Sequence, residues 1–254
     1  MASKKPLLVV VGFLALFFLF GDVTALAQEN AAAGGGEPPQ VNVLWWLIKV
    51  SGWIGLFILI LSIYFVAVAI QAFLQLKLSV AMPPESTQAV TELIEAGKTR
   101  EVVEFLKEDD SMYGQSLLAG IADLKYGLDD AREKLDRKAE ALSGDMERSI
   151  SNLAVLGTLG PMIGLLGTLK GMITSFSAIA ISGTSLDASK IAEGISEALV
   201  LTFEGVFLSV PAIFLFSFFR NRIAKIYSEV SITADDHLRA FAKQFFKNKP
   251  EGSA

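Results

Sequence analysis

Apolar positions come in three long, almost unbroken runs, at about residues 43–76, 150–181 and 191–219, separated by stretches in which hydrophobic residues return every three or four places. A bilayer core is crossed by about 20 apolar residues in a helix, so each run predicts a membrane helix, and the second and third are long enough to tilt or to project beyond the lipid. Trp45, Trp46 and Trp53 gather near the start of the first run, where amphipathic rings favour the headgroup region, and Lys49 among them is placed to snorkel outward. Pro83 and Pro84 are read as the end of that helix.

Residues 77–149 carry the helical period without the length. Val90, Leu93 and Ile94, then Val102, Val103, Phe105 and Leu106, then Leu117, Leu118, Ile121 and Leu124 mark amphipathic helices outside the bilayer. From Asp129 to Glu147 acids alternate with Arg132, Lys134, Arg137 and Lys138, and Arg148 follows. This pattern predicts a long helix with a solvated face laced by ion pairs, running into the second membrane helix. The fold class expected is an all-α membrane protein, three transmembrane helices extended by cytoplasmic helices.

Residues 1–27 place Lys4 and Lys5 before an apolar stretch from Pro6 to Gly21 and end on Ala25-Leu26-Ala27, the layout of a secretory signal cleaved after Ala27; an uncleaved membrane helix is the alternative. Residues 28–42, with Gly34-Gly35-Gly36 and Pro38-Pro39, read as a flexible extracytoplasmic tail. Arg220, Arg222 and Lys225 follow the third run and Lys77 the first, whereas the turn at 182–190 holds only Asp187 and Lys190. Positive-inside counting then places the N-terminus and that turn in the periplasm, with 77–149 and 220–254, a C-terminal helix and tail, in the cytoplasm.

Composition narrows the chemistry. The chain is 52% hydrophobic with a net charge of -5 and has no basic, aromatic-studded stripe, so nucleic acid is not an expected partner. It has no cysteine, which excludes disulfides, thiolate nucleophiles and zinc-thiolate sites. The sole histidine, His237, lies in a polar helical stretch and is read as solvated at the surface, with no metal site. Neither a nucleophile elbow nor a phosphate loop is present, so an enzyme is not expected, nor a cofactor.

What remains is a set of charges in the wrong solvent. Lys170, Glu197 and Glu204 fall inside the second and third runs, where each costs roughly 3 kcal/mol on insertion scales and such residues commonly mark ion paths. Around them Gly157, Gly160, Gly164, Gly167 and Gly171 leave one helix face bare for close packing, and Pro161 interrupts the same span. Antiparallel pairing of the two runs matches residues whose numbers sum to about 369, which puts Thr168 level with Leu201, one position from Thr202, and Lys170 level with Leu199, between Glu197 and Glu204. At ~100° per residue the threonines and the charges occupy different faces: one arrangement aims Thr168 and Thr202 at a pore while Lys170 pairs with Glu197 or Glu204. The other ties each threonine hydroxyl to its own backbone.

The blocks Gly160-Pro161-Met162-Ile163-Gly164-Leu165-Leu166-Gly167-Thr168-Leu169-Lys170-Gly171-Met172 and Gly194-Ile195-Ser196-Glu197-Ala198-Leu199-Val200-Leu201-Thr202, closed by Val210-Pro211-Ala212, resemble the MotA/TolQ/ExbB proton-channel family, with ExbB and TolQ the nearer likeness. The resemblance covers about residues 43–230. It implies a stator in the bacterial inner membrane, a homopentameric ring around an ExbD/TolR-like single-span partner with an intramembrane Asp, driven by H+ and delivering work to a periplasmic or outer-membrane machine. A TonB/TolA-like periplasm-spanning protein is a further partner on this reading. Carried over by motif position, Thr168 and Thr202 line the pore and Glu197 is the buried glutamate near the interface, with the lipid bilayer around the ring. Lys170 and Glu204 depart from the family pattern and are candidates for one compensating pair. The residues leave open Na+ in place of H+ and the process driven. A non-conducting helical scaffold anchoring another complex is the alternative function.

Overall fold

The computed structural model describes residues 43–182 and 188–247, with side chains described over 52–181 and 188–247. The expected signal peptide at 1–27, the tail at 28–42 and turn residues 183–187 lie outside the described residues, as do the side chains of Trp45, Trp46 and Lys49. Among the described residues every regular element is a helix: α1 (Val43–Gln75), α2 (Leu78–Ala81), α3 (Pro84–Glu95), α4 (Thr99–Glu108), α5 (Met112–Asp123), α6 (Leu128–Ser182) and α7 (Ala188–Lys247). Three stretches, Gly52–Gln75, Leu128–Ile181 and Ala188–Lys247, are long and apolar enough to cross a membrane. The chain is therefore an all-α membrane protein.

The charged helix runs into the second apolar run without a break, as expected, and the third apolar run continues in the same way into the C-terminal helix. α6 runs for 55 residues and α7 for 60, so each is on the order of 80–90 Å long against a hydrocarbon core of ~30 Å. Nothing at 149–150 or 219–220 stops a helix, and on α7 the buried stripe Leu215, Phe219, Ile223, Ile226, Val230 and Ala234 passes straight through the change from apolar to charged sequence. Both helices also continue through their internal prolines, Pro161 and Pro211. The prolines at 83–84 act differently from the expectation. α1 has already ended at Gln75, and Pro84 occupies the first turn of α3, where its missing N–H costs no helical bond and its fixed φ suits the start. Within α1 the helix is interrupted once, at Gly52, whose φ of 56° and ψ of -145° suit glycine alone.

The helices divide into two compact units. One comprises residues to Phe65 with Val155–Ile213; the other comprises Val66–Ala154 with Phe214–Ala254. In the second unit α3, α4 and α5 bury Val90, Ile94, Val102, Leu106, Tyr113 and Leu117 against Ala131, Leu135 and Ala139 of α6 and Ile226, Val230, Ala234, Leu238 and Phe241 of α7. The charged part of α6 keeps the solvated face expected from its alternating charges and turns its other side to this core. One stripe is core, and Arg132 reaches Asp235 of α7 with two hydrogen bonds of 2.6 and 3.2 Å while Ser231 donates to Asp136 at 2.5 Å. Only part of the charge pattern forms the expected pairs along one helix, Arg137 with Glu133 and Arg148 with Asp145.

His237 also departs from expectation. It belongs to the same inward stripe as Val230, Ala234 and Phe241, at spacings of four, three and four residues, and is half-buried instead of solvated. The Tyr113 hydroxyl lies 2.5 Å from its Nδ1 and the Thr91 hydroxyl 3.2 Å from its Nε2.

Candidate functional site

The first unit is organised by residues that lack side chains. Along α6 the stripe Gly157, Gly160, Gly164, Gly167 and Gly171 faces α7, and an added Cβ would collide with it at every one of them but Gly164, where the contact would be tight. At Gly160 it would sit 2.5 Å from the Gly205 carbonyl, at Gly167 2.8 Å from Leu201 Cδ1, and at Gly171 2.7 Å from Ala198 Cβ. The pairing Gly171 to Ala198 and Gly160 to Ser209 keeps the antiparallel register anticipated from the run lengths, with residue numbers summing to 369. Close approach of this kind is what small-residue stripes supply in a membrane, where there is no hydrophobic effect to press helices together.

The matching stripe on α7 was legible but not singled out. Gly194, Ala198, Thr202, Gly205 and Ser209 recur every three or four residues and present small or hydroxylated side chains to α6. Ser175 and Ser209 are buried in the seam. Ser175 Oγ hydrogen-bonds the Gly171 and Ile191 carbonyls, both at 3.1 Å, and Ser209 Oγ donates to Gly205 at 2.9 Å. From α1, Ile54 and Ile58 close on Leu201 with Ile163 beside them.

Charged residues settle at one level of this seam. Lys170 Nζ lies 2.5 Å from Glu197 Oε1, so the structure resolves the choice left open by the sequence in favour of Glu197. The departures at Lys170 and Glu204 are accordingly not a self-contained pair: Lys170 compensates Glu197, while Glu204, half-buried on α7, makes contacts of its own. The break in α1 bears on the same spot, since a Cβ at Gly52 would stand 3.4 Å from Lys170 Nζ. Three helices thus meet at an ammonium.

Both threonines bond to backbone. Thr168 Oγ1 donates to the Leu165 carbonyl at 2.7 Å. Thr202 Oγ1 shares its proton between the Ala198 carbonyl one turn back, at 3.1 Å, and the Gly164 carbonyl across the seam, at 3.2 Å. The glycine at 164 makes that second bond geometrically open, because its Cβ would sit 3.0 Å from Thr202 Cα. Thr202 and the stripe are therefore one construction: the missing side chain lets the hydroxyl reach the opposite backbone. Among the described residues no group of three metal-ligating side chains occurs.

The motif blocks on α6 and α7 fall inside a segment, residues 108–232, that matches the model of the MotA/TolQ/ExbB proton channel family. Over these residues the chain belongs to that family. Its MotA/TolQ/ExbB region takes in α5, α6 and the greater part of α7, including the whole small-residue seam. Among similar proteins, the biopolymer transport protein ExbB of Salmonella typhimurium is 34% identical over 90 residues, 35% of this chain and 36% of the relative. The Tol-Pal system protein TolQ of Pseudomonas aeruginosa is 32% identical over 105 residues, 41% and 43% of the two chains. A putative ExbB-like protein of Synechocystis is 29% identical over 139 residues, 52% and 54%. The aligned part spans about a third to just over half of these relatives.

Proposed function

We propose that the protein is the channel-forming stator subunit of a proton-motive-force-driven motor in the bacterial inner membrane, acting with an ExbD/TolR-like single-span partner that brings an intramembrane Asp. In this reading several copies, five by resemblance, ring the partner, the N-terminus faces the periplasm and the second unit the cytoplasm, and work passes to a periplasmic or outer-membrane machine, through a TonB/TolA-like protein. The observation that carries it is the Thr202 hydroxyl, held by two carbonyls within the family's own motif seam and five residues along α7 from Glu197 of the Lys170–Glu197 pair.

The chemistry follows from what that hydroxyl has left to offer. Its proton is shared by two carbonyls, so its lone pairs remain, and lone pairs accept from a protonated carboxyl. To donate to an ionised carboxylate the hydroxyl must leave both carbonyls, which costs about 1 kcal/mol. The site thus favours the proton-loaded form of a carboxylic acid over the unloaded one without fixing either. Lys170 and Glu197, already paired, take no formal charge from that exchange.

The scaffold reading draws on the same bonds, because hydroxyls bonded to backbone need no partner to be stable. Proton flux through vesicles holding the co-purified complex separates the two. Thr202→Ala removes one hydrogen-bonding group, worth on the order of a tenfold drop in flux with the subunit ratio unchanged. Equal flux in wild type and variant, or none in either, supports the scaffold.

A further inference from the structure

The second unit holds a cluster that the channel reading leaves unused. His237 of α7 is enclosed between α3 and α5: the Tyr113 hydroxyl is 2.5 Å from Nδ1, the Thr91 hydroxyl 3.2 Å from Nε2, and the tyrosine ring meets the imidazole edge-on, with ring centres 5.7 Å apart. The hydrogen bonds determine the tautomer. Thr91 Oγ1 already gives its proton to the Thr87 carbonyl at 2.8 Å, so towards the ring it must accept, and Nε2 must carry the hydrogen. Nδ1 is then bare and accepts from Tyr113, which is fully buried and held neutral: burial, reinforced by the charge of Asp109, pushes its phenol well above the usual value. Every polar atom of the neutral imidazole is satisfied.

We propose that Thr91, Tyr113 and His237 form an acid-sensitive latch that fastens α7 to α3 and α5 while the imidazole is neutral and releases it when the imidazole is protonated. A second ring proton, on Nδ1, would point at the hydroxyl that now donates to it. Tyr113 would have to turn its own hydrogen away inside a buried site, where an unsatisfied donor costs about 1–3 kcal/mol. Two acids bear on the cluster: Asp236, beside the ring on α7, and Asp109, which acts on Tyr113. Asp236 favours the protonated ring, yet burial outweighs it and pushes His237 below its ordinary 6.5. Between that lowered value and 6.5 the folded protein binds fewer protons than the unfolded chain, so stability rises with pH and is lost on acidification. The inference stands apart from the channel reading. If the second unit is cytoplasmic, the latch reports internal acidity to the helix that also carries Glu197 and Thr202.

Because His237 is the only histidine, nitrogen-15 imidazole labelling of the full chain in detergent yields a single ring to follow. At pH 7.5 the expected spectrum has a protonated Nε2 and a bare Nδ1, with a titration midpoint below that of free imidazole; Tyr113→Phe moves the midpoint upward. In parallel, the apparent Tm of the wild type falls on acidification below 6.5, by at most about 3–5 °C per pH unit, and the fall is absent from His237→Gln. A proton on Nδ1 at neutral pH, a midpoint at or above the free value, or the same Tm slope in wild type and variant overturns the latch. Should His237→Gln fail to fold, the Tyr113→Phe midpoint decides alone, and an unmoved midpoint is a refutation.

Discussion

Removing either member of the Lys170–Glu197 pair should harm the protein more than removing both. The ammonium and carboxylate are 2.5 Å apart in the α6–α7 seam, with side-chain exposures of 37% and 17%. Breaking a fully buried ion pair by deleting one partner costs about 3–5 kcal/mol, because the survivor is left charged in a poor solvent; the partial exposure of Lys170 reduces this to about 2–3 kcal/mol. Lys170→Met and Glu197→Gln keep shape and remove charge. Each single variant should lower the apparent Tm of the detergent-purified protein by about 4–12 °C. The double variant leaves no lone charge, so it should lose less than either single variant, which requires a coupling energy above about 2–3 kcal/mol. Measuring all four proteins in one detergent at one pH completes the cycle. A double variant as unstable as the two single losses added together, with coupling under about 0.5 kcal/mol, refutes the claim that this pair is the electrostatic solution of the seam.

Other outcomes follow from the same geometry. Gly171→Leu drives a side chain into Ala198 and the Gly194 backbone and should cost at least about 1–3 kcal/mol, seen as loss of folded protein on size-exclusion chromatography, whereas substitution at the open Gly144 should not. Gly52→Ala forces an L residue to φ 56° and ψ -145° beside Lys170 Nζ; the expected strain of about 1–3 kcal/mol should appear as a lower Tm, and an unchanged Tm would mean that α1 readily straightens there.

Much of this was readable from the chain because membrane helices state themselves. Apolar run length predicted three spans, small-residue spacing predicted the seam, and the antiparallel register followed from where the runs begin and end, down to Gly171 opposite Ala198. Illegible features were those decided by neighbours. Lys170 sits between Glu197 and Glu204 in depth, and only side-chain reach selects Glu197. His237 looked solvated because it stands between Asp236 and Leu238 in a polar stretch, although its place on the stripe of Val230, Ala234 and Phe241 was available to a helical count. The charged half of α6 shows its solvated face in the sequence but hides its other side: Ala131, Leu135 and Ala139 are a core stripe too thin in side-chain volume to stand out among so many charges. Gly52 carried no sign of a break, because a glycine in an apolar run is as compatible with close packing as with a positive φ.

The proposed motor needs a carboxylic acid from another polypeptide beside Thr202. The chain has no cysteine of its own, so Thr202→Cys introduces a single reactive position. Cross-linking from that cysteine in intact membranes, followed by mass spectrometry of the product, tests the claim most directly. The predicted result is a covalent adduct with a small single-span protein, attached within a turn of an intramembrane aspartate. An adduct only with further copies of this chain, or a cysteine modified only by lipid-soluble reagents, would contradict it.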